Sequence, residues 1–163
     1  MSDIIFEIKR LQKLANLSEQ KKEVVYTAIV LTKNSHNLLK DLFSHAFPVD
    51  WKFISHHVTV NLKSFTGDRR LLNTNQVIIA NSFVKDEKIC AVGVIMPPNI
   101  VSKNKNPHIT IAFDEKNARA KDSNNLDWNN AKLIENIILE GKLVEIISGK
   151  EILFAEDYPV IEH

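Results

Sequence analysis

The stretch FISHHVTVNL, residues 53–62, decides how this sequence is interpreted, because it resembles a β-strand and yet carries reactive side chains. A second stretch, NPHITIAF at residues 106–113, repeats its order of histidine, aliphatic residue, threonine and aliphatic residue. Successive side chains of a strand point to opposite faces. We therefore predict that His57 and Thr59 share one face of the first strand. On the second strand His108 and Thr110 share a face, and the aliphatic residues of both strands are buried.

A histidine and a threonine two residues apart on a strand are separated by roughly 6.5–7 Å, a span that suits one phosphate group. Histidine serves as a general acid or base near neutral pH. Threonine hydroxyls can hold the non-bridging oxygens as their charge shifts. Two such pairs facing one cleft predict a metal-independent site for a phosphodiester. His56 is in register with the buried face, so we interpret it as a structural histidine.

Composition restricts the class of protein. The chain has 163 residues, a formal net charge of +1 and a single cysteine, Cys90, inside an apolar run. These values predict one domain over residues 1–163, a buried thiol, and no affinity for long duplex DNA. Neither a glycine-rich phosphate loop nor a long apolar run is present in the sequence. We expect a cytoplasmic monomer with no membrane span and no cofactor.

Local patterns predict both helices and strands. Apolar residues at helical spacing predict a helix over 3–22, and a second helix capped by Ser35 carries Leu38, Leu39, Leu42 and Phe43. The strands are expected at 24–31, 51–62, 76–84, 88–96 and 108–113, with a hairpin joining the third and fourth. A short helix at about 128–138 and a closing hairpin made by KLVEIIS and EILFA complete the prediction.

The motifs HVTV (57–60) and HITI (108–111), within a likeness that runs from Tyr26 to Ile146, resemble those of the two-histidine (2H) phosphoesterases. The pattern is most similar to the branch of the tRNA-ligase cyclic phosphodiesterase domain. This resemblance implies an α+β, bilobal fold, with two antiparallel sheets lining a central cleft, helices outside and pseudo-twofold symmetry between the lobes. We expect residues 1–22, which lie outside the resemblance, to contribute an additional N-terminal helix. The 51-residue separation of the two histidines is shorter than in many relatives.

The resemblance also implies an activity and the residues that carry it. It implies a hydrolase that cleaves nucleotide or RNA phosphodiesters, such as 2′,3′-cyclic phosphate ends and 2′–5′-linked or cyclic oligonucleotides. His57, Thr59, His108 and Thr110 match the catalytic positions. The residues expected to contact the nucleotide or short RNA substrate are Tyr26, Lys103, Lys105, Lys121, Ser123, Asn124 and Trp128; Lys63, Arg69 and Arg70 are further cations that can attract phosphate. A nucleotide- or RNA-binding module without turnover is the alternative that the same residues permit.

Overall fold

The computed structural model describes residues 8–10 and 23–159. Residues 8–10 are helical, and the rest of the helix predicted over 3–22 lies outside the described residues. Between residues 23 and 159 the only α-helix is α1 (Lys33–Phe43). The strands of this part are β1 (Val24–Leu31), β2 (Lys52–Phe53), β3 (His57–Leu62), β4 (Asn75–Lys85), β5 (Ile89–Ile95), β6 (His108–Phe113) and β7 (Lys132–Ile147).

The strands form one closed antiparallel barrel. Six of them follow the order β6-β3-β1-β7-β4-β5, and β5 pairs with β6 to close the ring, while the short β2 adds to β6. The predicted bilobal α+β fold with two separate sheets is therefore wrong. The physical reason is that the two histidine-bearing strands, β3 and β6, pair with each other and with their own neighbours, so that no free sheet edge separates two lobes.

The two histidine-bearing strands pair with their neighbours in the same register. On β3, His57 lies opposite Val30 and Thr59 opposite Ala28. On β6, His108 lies opposite Gly93. Thr110 lies opposite Ala91 in the same way. The two motifs thus have the same strand register.

Both strands also carry one extra residue at the same place, directly after the threonine. The pairing skips Val60 between Ala28 and Thr27, and it skips Ile111 between Ala91 and Cys90. Each skipped residue is a β-bulge, which bends the strand and increases its twist. Because Val60 and Ile111 are fully buried, the bulges turn extra aliphatic surface toward the core.

The hydrophobic core lies behind the histidine-bearing strands. Val58 and Ile109 face each other and are fully buried in the main cluster, together with Ile29 and Val92 from the neighbouring strands. Leu39 and Phe43 of α1 pack into the same cluster. Burial of one such aliphatic side chain is worth about 1.5–3 kcal/mol. The predicted burial is confirmed for Val58, Val60, Ile109, Ile111 and Cys90, whereas Leu62, at the end of β3, is exposed and that part of the prediction is wrong.

Three local predictions are corrected. Thr32, not Ser35, caps α1, since its side chain accepts from the Ser35 N–H at 3.1 Å. The Ser35 hydroxyl instead accepts from the Glu140 N–H at 2.8 Å and ties the helix to β7. The helix predicted at 128–138 is a three-residue 3-10 turn followed by β7, and residues 151–155 (EILFA), predicted to form the last strand, are not in a strand.

The long strand β7 explains these last two errors. Its apolar residues follow helical spacing at first sight, yet it pairs with β1 on one edge and β4 on the other, and those ladders override local propensity. Gly141 is needed where β7 meets β1, because a Cβ there would lie 2.6 Å from the Val30 carbonyl oxygen. None of the described helices has the length and apolar character needed to cross a bilayer.

Candidate functional site

A cleft with a volume of about 540 Å³ lies along the seam between β3 and β6, on the face opposite the core. His57, Thr59, His108 and Thr110 all line it. The other lining residues are Tyr26, Ile54, His56, Val60, Asn61, Leu62, Lys103, Asn104, Ala120, Lys121, Ser123 and Asn124. Among these residues there is no carboxylate, although the chain has 20 acidic residues. The electrostatics of the cleft therefore favour an anion.

The seam itself is short, which is why a cleft forms there. β3 and β6 are joined at a single residue pair, Val58 with Ile109. On the cleft side this pair is flanked by the two histidines and the two threonines. The same paired backbone that buries the aliphatic residues thus brings both motifs to one surface, as the strand alternation predicts.

His108 is held at both ring nitrogens. Its Nδ1 lies 2.6 Å from the Asn106 carbonyl oxygen, and its Nε2 lies 2.8 Å from the Ser123 hydroxyl. A carbonyl oxygen only accepts, so Nδ1 carries a hydrogen and Nε2 of the neutral ring is the acceptor. Ser123 is also 2.7 Å from the Thr110 hydroxyl and 2.9 Å from the Ala120 carbonyl oxygen. Ser123 thereby connects both residues of the second motif.

His57 is held by a different partner. Its Nδ1 lies 2.6 Å from Nδ1 of His56, and the two ring planes are inclined by 15° with centroids 4.7 Å apart. The carbonyl that corresponds to Asn106 in the second motif is that of Ser55, two residues before the histidine. This carbonyl accepts instead from Nδ1 of His36 at 2.8 Å. In the first motif an imidazole has taken the place of a carbonyl.

The prediction that His56 points into the core is wrong. The Ser55 N–H donates to the Thr110 carbonyl, whereas Val58 pairs with the next residue, Ile109. The first strand therefore gains two residues at this point, His56 and His57, and the alternation is interrupted. Ser55 accomplishes the change with a left-handed backbone, φ 46°. This conformation is uncommon for a residue other than glycine, so the sequence gives little warning of it.

Burial lowers the pKa of all three histidines in the cleft. For His57 the causes are burial first, then the neighbouring His56 and His108. For His56 they are burial, then His36 and Lys52. For His108 burial lowers the pKa and the bond to the Asn106 carbonyl opposes it. With no carboxylate on the cleft wall to stabilise a cation, the lowered pKa values leave the three imidazoles neutral at pH 7.

Each motif histidine also has an aromatic neighbour. The Tyr26 ring is 5.4 Å from the His57 ring and lines the cleft. Burial, with a smaller contribution from Tyr158, raises the pKa of Tyr26 to about 12, so its hydroxyl stays protonated. The Trp128 ring is 5.0 Å from His108, and its Nε1 donates to the Ser123 carbonyl at 3.1 Å. Trp128 does not line the cleft, and it supports the second motif from outside it.

The cations are divided between the cleft and the outer surface. Lys103 and Lys121 line the cleft, and Lys105 does not. Arg69 forms an ion pair with Glu145 at 3.2 Å, and Arg70 forms one with Asp68 at 2.9 Å. Both arginines are outside the cleft lining. Of the predicted substrate-contacting residues, the structure brings together Tyr26, Lys103, Lys121, Ser123 and Asn124, and leaves Lys105 and Trp128 off the cleft wall.

Besides His56, sequence reasoning missed Asn61 and Asn104 as cleft residues. Asn61 falls on the His57 face of the strand pattern, so periodicity could have found it. Its Nδ2 donates to the Leu62 and Ser64 carbonyls, both at 2.8 Å. Asn104 donates to Asn124 Oδ1 at 3.0 Å and joins two segments of the rim. The only sequence signal that Asn104 lies at the cleft was the run of asparagine and lysine residues in SKNKNP (102–107).

The chemistry of the cleft is that of imidazoles, hydroxyls and two lysines. Within residues 8–10 and 23–159, no group of three or more histidine, cysteine or acidic side chains is arranged to hold a metal ion. Burial raises the pKa of the Cys90 thiol to about 12, and this residue is in the core. What the arrangement can do is bind a phosphate between paired hydroxyls and exchange protons with it through two imidazoles.

Comparison with protein-family models, with curated proteins and with solved structures finds no match to this chain.

Proposed function

We propose that this protein is a phosphodiesterase that hydrolyses small nucleotide or RNA phosphodiesters by acid–base catalysis with His57 and His108, without a metal ion. The observation that carries the proposal is the equivalence of the two motifs. Two histidine–threonine pairs, each on a strand with the same register and the same bulge, open onto one cleft whose described lining has no carboxylate. A likeness to the 2H phosphoesterases in HVTV and HITI supports the same chemistry.

In the proposed reaction one imidazole takes a proton from water as the water oxygen attacks phosphorus. The bond from phosphorus to the leaving ribose oxygen breaks, and the other imidazole gives that oxygen a proton. Thr59 and Thr110 hold the non-bridging oxygens. The rate should show a bell-shaped dependence on pH, because one ring must be neutral while the other is protonated. An anion in the cleft raises the lowered pKa of each ring and so supplies the protonated partner.

The size and charge of the cleft support a small substrate. A volume of about 540 Å³ accommodates one or two nucleotides, and two lysines on its wall suit one or two phosphates. We favour RNA ends or small oligonucleotides that carry a 2′,3′-cyclic phosphate or a 2′-linked diester. Duplex DNA is a poorer candidate, because a net charge of +1 gives little attraction for a long polyanion. We place the protein in the cytoplasm as a monomer, in keeping with such substrates.

Product analysis with the purified protein tests the proposal. The panel contains 2′,3′-cyclic mononucleotides, 2′–5′ and 3′–5′ oligonucleotides and cyclic dinucleotides, each with and without EDTA. We expect turnover of at least one member that survives EDTA. A variant with both His57→Ala and His108→Ala, purified in parallel, controls for contaminating nucleases. Turnover abolished by EDTA, or equal turnover by the double variant, would contradict the proposal.

One observation favours the alternative, a nucleotide- or RNA-binding module. The Ser123 hydroxyl is hydrogen-bonded to Nε2 of His108, and Nε2 is the atom that must exchange the proton. In the enzyme, water or a phosphate oxygen replaces Ser123 there, and the single hydroxyl hydrogen of Ser123 turns to the Ala120 carbonyl, 2.9 Å away. In a binding module Ser123 would stay. Calorimetric binding of a nucleotide with no product after long incubation would favour the module.

A further inference from the structure

The contact between His56 and His57 has a consequence for how many protons this half of the cleft can hold. Their Nδ1 atoms are 2.6 Å apart, a hydrogen-bond distance. A hydrogen bond between two nitrogens contains one hydrogen. If both Nδ1 atoms lacked hydrogen, two lone pairs would face each other, and if both carried hydrogen, two N–H groups would collide. The contact therefore requires one shared hydrogen in every protonation state that preserves it.

Counting hydrogens then limits the charge. A neutral imidazole has one N–H. In the neutral pair, one ring has its hydrogen at Nδ1 and the other has it at Nε2. Addition of one proton gives both rings an Nε2–H and leaves the shared hydrogen in place, with charge +1. A second proton would require two facing N–H groups. The pair thus accepts one proton, and only one, while the rings stay in contact.

The surroundings act in the same direction. The groups that face the pair are His36 from α1, Lys52 from β2, Tyr26 from β1, His108 from β6, and Lys103 and Lys121 at the rim. All of these are neutral or cationic, and none of the described cleft residues is a carboxylate. A second positive charge on the pair would therefore lack a counter-ion.

We propose that His56 is a positioning residue that forms a single-proton dyad with His57. When His57 gives its Nε2 proton to a leaving oxygen, the electron pair of that N–H bond stays on Nε2. The shared hydrogen then belongs to Nδ1 of His57, and His56 keeps its own Nε2–H. Proton uptake reverses these steps. His56 accordingly does for His57 what the Asn106 carbonyl does for His108, with the difference that an imidazole can also return the hydrogen.

This inference deepens the proposed function, but its first test does not depend on catalysis. Long-range ¹H–¹⁵N spectra of the full chain at pH 7.5 report which ring nitrogen of each histidine is protonated. We expect opposite tautomers for His56 and His57, one Nδ1–H and one Nε2–H. In His56→Asn the amide oxygen accepts, and His57 should be fixed as Nδ1–H. His45→Asn, a change at an exposed position, is the control. The same tautomer at both rings, or a His57 signal unaffected by His56→Leu, would overturn the dyad.

The second test uses kinetics. His56→Leu removes the acceptor and should lower kcat by about tenfold, the equivalent of one hydrogen bond, with KM unchanged and one limb of the pH profile displaced. His56→Asn should restore most of kcat. Unchanged kcat and pH profile in His56→Leu would also overturn the dyad. Opposite tautomers at His56 and His57 without turnover of any substrate would support the dyad and contradict the phosphodiesterase activity. Turnover with the same tautomer at both rings would support the activity and contradict the dyad.

Discussion

The two motifs of the cleft share one strand register and differ in how their histidines are held. His57 and His108 lie opposite equivalent residues of β1 and β5, and the same bulge follows each motif. His108 is fixed by a carbonyl at Nδ1 and by a buried serine at Nε2. His57 is fixed by a second imidazole at Nδ1. The strand register therefore determines where a histidine is presented, and the flanking segments determine how its protons are arranged.

The largest expected effect comes from removing either histidine. His57→Ala and His108→Ala should each lower kcat/KM by on the order of 10²-fold or more, the scale of a lost general acid or base. The measurement uses whichever panel member shows turnover, and thermal unfolding verifies that each variant is folded. His45→Ala, at an exposed position, should retain full activity. If both cleft variants remained fully active, the equivalence of the two halves would have no catalytic meaning.

A second prediction concerns the residue that lies opposite each motif histidine on the neighbouring strand. Val30 lies opposite His57, whereas Gly93 lies opposite His108. A Cβ at position 93 would overlap Ser82 Oγ and would lie 3.3 Å from Trp128 Cζ3. Gly93→Val, which copies the first half, should therefore displace Trp128 from His108 and cost about 1–3 kcal/mol of unfolding free energy, as overpacking does.

Denaturant unfolding measures this cost. The smaller change Gly93→Ala, combined with a change at Ser82, separates the contact with Ser82 from the contact with Trp128. Because Ser82 is the nearest obstacle, Ser82→Ala should recover part of the stability that Gly93→Ala loses. A cost for the double variant equal to the sum of the two single costs would show that the two residues do not interact. The contact that makes glycine necessary would then have to be with Trp128.

The third prediction tests the serine that only the second half has. Ser123→Ala removes the hydroxyl that holds Thr110 at 2.7 Å, and it should lower kcat by about tenfold, near the worth of that one hydrogen bond. The effect should be smaller than that of His108→Ala, because both imidazoles remain. Ser148→Ala, at an exposed serine, is the matched control. An increase in kcat would instead mean that Ser123 obstructs Nε2 of His108.

The sequence predicts the second half of the site better than the first. Regular alternation in HITI places His108 and Thr110 on the cleft and Ile109 in the core, as observed. In the first half, alternation places His57 and Thr59 correctly but assigns His56 to the core. The left-handed Ser55 and the two extra residues of the strand depend on pairing with β6, which is a long-range contact that local pattern does not contain.

The same limit explains the error in the fold. The strands β1, β4, β5 and β6 were predicted from β-branched and apolar runs, and they form near the expected positions. Whether such strands make two sheets or one closed barrel depends on which edges pair. That choice is made by the pairing of β6 with both β3 and β5, and by β7, whose apolar spacing imitates a helix. Neither feature has a local signature.

The smallest expected effect is a difference in acid stability between the halves. The pKa of each cleft histidine is lower in the folded protein than its ordinary value of about 6.5, so the unfolded chain binds more protons in acid. Stability is therefore complete above that value and is lost as pH falls toward the lowered pKa. Each histidine should contribute about 1 kcal/mol to the loss between pH 7.5 and 5.5, after allowance for partial exposure.

The first half has two such histidines and the second has one. Denaturant unfolding at both pH values should show that replacing His56 and His57 together by asparagine removes about twice as much of this loss as His108→Asn does. Equal effects would mean that one histidine of the first half titrates in the folded protein as it does in the unfolded chain, and that the two halves differ less than their hydrogen bonds indicate.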